Sequence, residues 1–377
     1  MPDYIVRPGD TLRSIAIMYS IPLLNIIAAN PDVANPDHIL VGQIIRIPEG
    51  YSRRTINVNG FAAPDIDNGV LSDTVPYLTY LSIYGYNVKP DGTLVTIDDA
   101  DLVQLSRQAG VGPLMVISNI DETGEASSEL AHTILMSEVI QITLIKNIID
   151  VVKSKNYFGL NINFDNIDPS DRELLTKFFQ SVTQNLFSLG YIVVASDFIA
   201  VNPNRSTLLY DTIDFGAYSE YVNQVFIIVS YATQRPRLPP MAVAPLDQLK
   251  RVLDYSVSII PSQNILLGMT NYALDWTLPY NPATVAKRLP YPEALALSRQ
   301  KAAYVWFDQI SQSANFFYTD GSNRQHVVWL YDELSIRLRL ELIRAYNLGG
   351  VSFFMVDDFP VETYITLNSM YEIRKVL

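Results

Sequence analysis

Cysteine is absent from the 377 residues, which excludes disulfide frameworks and thiolate metal centres. Histidine is scarce: His38, His132 and His326 lie far apart, and none falls in a ligand spacing such as His-Glu-x-x-His. No metal and no cofactor is therefore expected. Positive charge is also in short supply, with 27 Lys and Arg against 39 Asp and Glu, a formal balance of −12, and no basic run of five. Nucleic acid and anionic membrane surfaces are accordingly poor partners. The chain contains no apolar stretch long enough for a membrane span. Met1-Pro2-Asp3-Tyr4 opens no basic-then-apolar leader, so a secretory signal is not expected. What is abundant is apolar residues, 49% of the chain, which excludes disorder and suits a large domain plus a small module.

From Ile56 onward, strand-like apolar runs recur at intervals that leave room for helices: 56–61, 77–84, 113–118, 158–165, 191–197, 224–231, 264–270 and 350–356. Helical periodicity fills gaps such as 137–153 and 172–189. Strands alternating with helices over 55–377 predict an α/β fold, a (β/α)8 TIM barrel whose site lies at the carboxyl ends of the strands. That arrangement would place Tyr84, Asp165, Asp197 and Tyr231 around one opening. The stretch from about 272 to 334 is too long for an ordinary loop between strands seven and eight, so it is expected to carry structure of its own.

Residues 1–50 read as a separate unit. Tyr4 to Val6 suggests a short strand, Pro8-Gly9 a tight turn, and Asp10 or Thr11 a cap for a helix over 12–19. A second helix over 22–30, a turn-rich stretch and a strand over 43–47 complete a βααβ pattern, with 48–54 as a short linker. Val6-x-Pro8-Gly9-Asp10-Thr11-Leu12, Asn30-Pro31 and Val41-Gly42-Gln43-x-Ile45-x-Ile47-Pro48 resemble a LysM domain. The resemblance implies binding of N-acetylglucosamine-containing glycan, as in peptidoglycan or chitin. It implies a groove lined by Gly9, Asp10, Thr11, Leu12, Asn30, Pro31 and Asp32.

Chemistry concentrates in Gly159-Leu160-Asn161-Ile162-Asn163-Phe164-Asp165-Asn166. Period-two alternation puts Asn161, Asn163 and Asp165 on one face of a buried strand, where polar groups need partners or a function. This segment, with the following Ile167-Asp168-Pro169-Ser170-Asp171-Arg172-Glu173-Leu174, resembles glycoside hydrolase family 18, the chitinase-like barrels, and within it the spore peptidoglycan N-acetylglucosaminidases. The resemblance implies a substrate-assisted mechanism. In it a strand-four Glu protonates the leaving oxygen, and an Asp two residues earlier stabilises the substrate's acetamido group.

Here Asp165 stands at the Glu position and Asn163 at that Asp, while Asn161 is usual for the spore branch. The family's Met-x-Tyr-Asp after strand six is answered by Tyr231 and Ala232, its Trp after strand eight by Phe354, and its Tyr-Gly-Tyr-Asp-Trp by a segment ending in Trp276. A small α+β insertion at about 272–334 is implied as one wall of the groove.

The catalytic-position residues are therefore Asp165, Asn163 and Tyr231. Asn161, Tyr84, Ala232, Trp276 and Phe354 are expected to bind substrate. The expected function is that of a glycan-binding protein with an impaired or inactive centre; the alternatives are a working glucosaminidase with Asp165 as acid, or a structural protein of a spore coat or similar shell. The expected place is a spore layer or the cell wall, with self-assembly or other spore-layer proteins as further partners.

Overall fold

The computed structural model describes residues 3–19, 21–33, 35, 38–48, 53–199, 215–229, 239–281 and 285–377. Strands β1 (Asp3–Ile5) and β2 (Ile44–Arg46) pair antiparallel, with Tyr4 opposite Ile45, and enclose the helices Leu12–Met18 and Leu23–Ala29. Tyr4, Val6, Leu12, Ile15, Ile26 and Ile45 form the small core. Of the two candidate helix caps it is Thr11 that serves: its hydroxyl accepts from the Ser14 backbone N–H at 3.0 Å, and the Ser14 hydroxyl oxygen accepts from the Thr11 N–H at 3.0 Å.

The large unit is built from β3 (Thr55–Ala62), β4 (Tyr80–Asn87), β5 (Gly112–Ser118), β6 (Gly159–Asn163), β7 (Ile192–Ile199), β8 (Gln224–Val229) and β9 (Ile265–Thr270). An insertion then supplies β10 (Tyr272–Leu278), β11 (Lys287–Pro290), β12 (Val305–Asp308), β13 (Ser313–Thr319) and β14 (Gln325–Leu330). The chain returns through β15 (Gly350–Phe354) and ends with β16 (Glu372–Ile373). Strands β3 to β9 and β15 pair in parallel, and β15 closes onto β3, giving the eight-stranded barrel.

These strands read as continuous apolar runs because both faces are covered. Leu160, Ile162 and Phe164 pack outward, where Phe164 stacks at 5.5 Å on Phe178 of the helix Arg172–Phe187. Phe61, Leu114, Val116, Val194, Phe226, Ile228 and Leu266 fill the lumen. Gly350 is required at closure, since a Cβ there would lie 1.7 Å from the carbonyl oxygen of Asn57.

The insertion forms a five-stranded antiparallel sheet in the order β11-β10-β14-β13-β12, with the helix Tyr291–Gln300 packed on one face through Ala294 against Ala273, Phe316 and Val328. Arg339, buried in the helix Glu333–Ala345, ties this sheet to the barrel. It donates to the carbonyls of Gln312, Ser311 and Ala244 and to the Ser313 hydroxyl, and lies 3.8 Å from the Tyr331 ring. Among the described residues no helix is long and apolar enough to cross a membrane.

The small unit docks on the barrel's helices. Arg337 reaches Asp10 at 2.5 Å and the Ser14 hydroxyl at 3.2 Å, while Arg344 donates to the Met18 carbonyl and Arg7 to that of Ile365.

Candidate glycan site at the barrel mouth

Below the mouth runs a belt of neutral polar side chains, each donating to the next across five strands. Ser196 Oγ donates to Asn161 Oδ1 at 2.7 Å, and Asn161 Nδ2 to Ser82 Oγ at 3.0 Å. Ser82 Oγ donates to Asn59 Oδ1 at 2.8 Å, and Asn59 Nδ2 to Ser352 Oγ at 2.9 Å. All five residues are buried. Asn161 is used as donor and acceptor at once, so it lies in the floor, satisfied by its neighbours. The sequence offered a signal for the belt, in that Asn59, Ser82, Ser196 and Ser352 each interrupt an apolar strand, yet none had been singled out.

Asn163, at the end of β6, donates its amide to the Ser196 carbonyl at 3.1 Å. The strand stops there instead of running to Asp165. Asp165 is half-buried, and its backbone is clamped by a residue that sequence reasoning missed: Asn119 accepts from the Asp165 N–H at 2.9 Å and donates to its carbonyl at 2.8 Å. One carboxylate oxygen of Asp165 accepts from the Asn166 backbone N–H at 2.7 Å. Beyond Asn119, the loops after β4 and β5 enclose a cleft of about 700 Å³ walled by Val88, Ile120 and Leu130 and edged by Lys89 and Glu122.

Tyr84 reaches the same opening by plain alternation, in phase with Tyr80 and Ser82 on the lumen face of β4. The register shift between Ile83 and Tyr86, with Gly85 at φ +127°, instead turns Tyr86, which alternation would also bring inward, outward to Asp99. Burial, offset in part by a hydrogen bond with Ser118 and reinforced by the charge of Asp165, pushes the Tyr84 phenol up to about 12, so it stays protonated at neutral pH. Phe354 meets Tyr84 edge-on at 6.3 Å and Phe61 at 5.1 Å.

Met355, unmentioned in the sequence reading, follows at φ +37°. Its side chain joins Phe354 against the lumen cluster, so two consecutive residues face inward where alternation would turn the second outward.

Asp197 departs from the expected opening. It lies on the outer face of β7 with Val193 and Ala195, and its buried carboxylate accepts a hydrogen bond from Tyr218, which stacks on Phe179. Burial lifts it to about 7 despite that bond, with the Asp165 charge adding to the rise. Trp276 is buried in β10, 6.1 Å from Tyr280, so it faces the junction of sheet and barrel. Tyr231 and Ala232 lie outside the described residues.

In the small unit, Asp10 is enclosed, accepting from the Tyr4 hydroxyl at 2.8 Å and the Arg7 N–H at 2.6 Å besides its pairing with Arg337. Leu12 is core. Asn30 holds the unit together through the Ile26 carbonyl and both backbone groups of Arg46. Gly9, Thr11, Pro31 and Asp32 remain at the surface, with Asp32 paired to Arg46 at 3.0 Å.

Residues 72–358 match the family model described as glycosyl hydrolases family 18, and residues 4–48 match the LysM domain. The chain belongs to glycosyl hydrolase family 18. It is 25% identical to the cortical fragment-lytic enzyme of Bacillus subtilis over 100% of this chain and 99% of that protein. With the cortical fragment-lytic enzyme of Bacillus anthracis it shares 31% identity over 74% of this chain and 65% of that protein. Among solved structures, the spore cortex-lytic enzyme SleL of Bacillus cereus superposes with a TM-score of 0.84 at 28% identity, covering 99% of this chain and 87% of that one. The family 18 barrel and the LysM fold expected from the motifs are therefore both present.

Proposed function

We propose that this family 18 protein binds N-acetylglucosamine-containing glycan of the peptidoglycan type through its LysM domain and barrel mouth. On this reading its barrel centre hydrolyses that glycan weakly or not at all. The observation that carries the reading is the neutral lumen beneath Asp165. Asn163 gives its amide to a backbone carbonyl, and the belt below it contains only Asn and Ser side chains. Among the described residues beneath Asp165, a positive charge developing on an acetamido group would meet dipoles and no carboxylate, which removes a large part of transition-state stabilisation. Asp165 is also one methylene shorter than Glu, and a misplacement of about 1 Å can cost on the order of 100-fold. The named relatives and the LysM domain support a spore layer or cell wall as the place of action.

A second reading, a working glucosaminidase with Asp165 as acid, is supported by the names of the relatives and by the carboxyl kept at the mouth beside protonated Tyr84. The two separate in one paired assay of the purified chain: pull-down on peptidoglycan, spore cortex and chitin, with release of reducing ends from the same materials. Binding without release is the expected result. Release that disappears in Asp165→Ala establishes the hydrolase, and absence of both binding and release removes the glycan reading in favour of a structural role.

A further inference from the structure

The cleft beside Asp165 lies between two short hairpins. The first is closed by a bridge between Val88 and Leu94, with the Lys89 N–H donating to the Thr93 carbonyl at 2.8 Å. The second is closed by a bridge between Ile120 and Ala126, with the Asp121 N–H donating to the Glu125 carbonyl at 3.0 Å. Leu130 and Thr133, from the helix Ser128–Met136, complete the lining. Both walls are braced. Gly92, at φ +81°, packs so tightly on the helix Glu138–Ser154 that a Cβ would lie 2.7 Å from the Ile140 carbonyl oxygen, and Asn147 of that helix donates to the Gly92 carbonyl at 2.9 Å. In the second hairpin, Asp121 Oδ1 accepts from the Thr123 N–H at 2.8 Å and from its hydroxyl at 2.5 Å, which ties that carboxylate into its own turn.

Asn119 joins the cleft to the barrel mouth. Its amide donates to the Ser127 carbonyl at 3.0 Å as well as to the Asp165 carbonyl at 2.8 Å, and Asn166 donates to the Ala126 carbonyl at 3.1 Å. Ser127 lines the cleft, so one side chain holds both the cleft wall and Asp165 in place. A substituent on a sugar seated at Asp165 therefore has this cleft beside it.

The chemistry of the lining differs from that of a sugar site. Among the described residues it contains no aromatic ring, the group that stacks on a pyranose face. Val88, Pro90, Val95, Ile120 and Leu130 instead offer a surface for small aliphatic groups. Charges of both signs stand around them: Lys89 on the first hairpin, Glu122 on the second and Glu129 on the helix. All three are exposed, and among the described residues none has an ion-pair partner. The volume of about 700 Å³ is that of a site for a small ligand, usually about 300–1,000 Å³.

We propose that this cleft takes the peptide substituent of a peptidoglycan strand while the sugars lie over the barrel mouth. Such a peptide combines small aliphatic side chains with carboxylates and a free amine. The side chains suit the aliphatic lining, a carboxylate suits Lys89, and the amine suits Glu122 and Glu129. The braced hairpins hold these groups apart before the ligand arrives, which lowers the cost of ordering them. A bare N-acetylated glycan carries none of these charges, so the cleft separates peptide-bearing strands from chitin. The inference rests on the proposed binding of peptidoglycan-type glycan and deepens it, by naming the part of the polymer that decides affinity.

The test titrates the full chain calorimetrically with two soluble peptidoglycan fragments of equal glycan length, one bearing its peptides and one stripped of them by an amidase. Wild type is expected to bind the peptide-bearing fragment at least tenfold more tightly. K89A/E122A/E129A changes exposed side chains alone and is expected to bring both fragments to the affinity of the stripped one. K89E alone serves if the triple variant melts lower than wild type, with a several-fold loss expected for the peptide-bearing fragment only. Equal affinity of wild type for the two fragments overturns the inference and leaves the proposed function standing. A preference that survives in the variants assigns the peptide to another surface and also overturns it. Failure of the wild-type chain to bind either fragment or insoluble peptidoglycan sinks both readings.

Discussion

At position 163 a single atom sets the chemistry, because the amide nitrogen donates to the Ser196 carbonyl where a carboxylate oxygen would be repelled. Asn163→Asp would therefore turn a charge toward the mouth or hold a proton, and Asp165→Glu would restore reach. We expect the double variant to raise the release of reducing ends from peptidoglycan by about 100-fold; no rise would place the limit elsewhere in the site. Asp197 supplies a second expectation. Burial lifts it to about 7, while an unfolded carboxyl titrates near 4. Between those values the folded chain holds a proton that the unfolded chain has released, so this residue's contribution to stability falls as pH rises through the window and is fully lost above it. In D197N the Tyr218 hydroxyl keeps an acceptor, so the melting temperature relative to wild type should climb from pH 4 to pH 7; a flat difference would contradict it. Asn161 and Asn163 were legible as one face of a strand because period two is local information, whereas Asp165 lies past the end of β6, where the Asn119 clamp and not the pleat places it. That Asp197 points away from that face was not, because one residue of register reverses every side chain.

For the elements, the barrel strands were legible because strands covered on both faces show as unbroken apolar runs. The observed bounds differ from the expected ones where local geometry intervenes. Val75–Tyr77 forms a 3-10 turn, so β4 starts at Tyr80, and the shift at Gly85 carries it on to Asn87. Met355 belongs to this scale as well, since its φ of +37° ends β15 and turns two neighbouring side chains into the lumen. Such a conformation costs a non-glycine residue about 1–3 kcal/mol, and glycine adopts it freely. Met355→Gly is therefore expected to melt no lower than wild type while binding N-acetylglucosamine oligomers more weakly, since Phe354 would lose the neighbour that fixes it. Calorimetric melting together with ligand titration checks both halves, and a variant that is less stable with unchanged affinity would remove Met355 from the site. No local pattern announces this residue, because a methionine carries no sequence signal for a positive φ.

Across the whole molecule, the decisive contact joins residues that sequence reading had no reason to connect. Asp10 looked like a turn or cap residue with a share in the LysM groove, and Arg337 like one more charge on a helix. In the fold the Asp10 side chain is fully buried and Arg337 nearly so, at 2.5 Å, with Ser14 beside them. Ions removed from water repay their desolvation only while each has the other, so deleting one partner costs more than deleting both. Arg337→Met leaves the Asp10 charge enclosed, with the Tyr4 hydroxyl and the Arg7 N–H as its remaining donors. We expect it to weaken docking of the LysM domain by about 3 kcal/mol, seen as faster proteolytic cleavage between residues 48 and 55. Adding Asp10→Asn should recover most of the loss, because an amide can still accept from Tyr4 and Arg7 and carries no charge to strand. If the double variant is cleaved as fast as the single one, the pair is not what seats the LysM domain, and the contacts of Arg344 with Met18 and Arg7 with Ile365 must hold it instead.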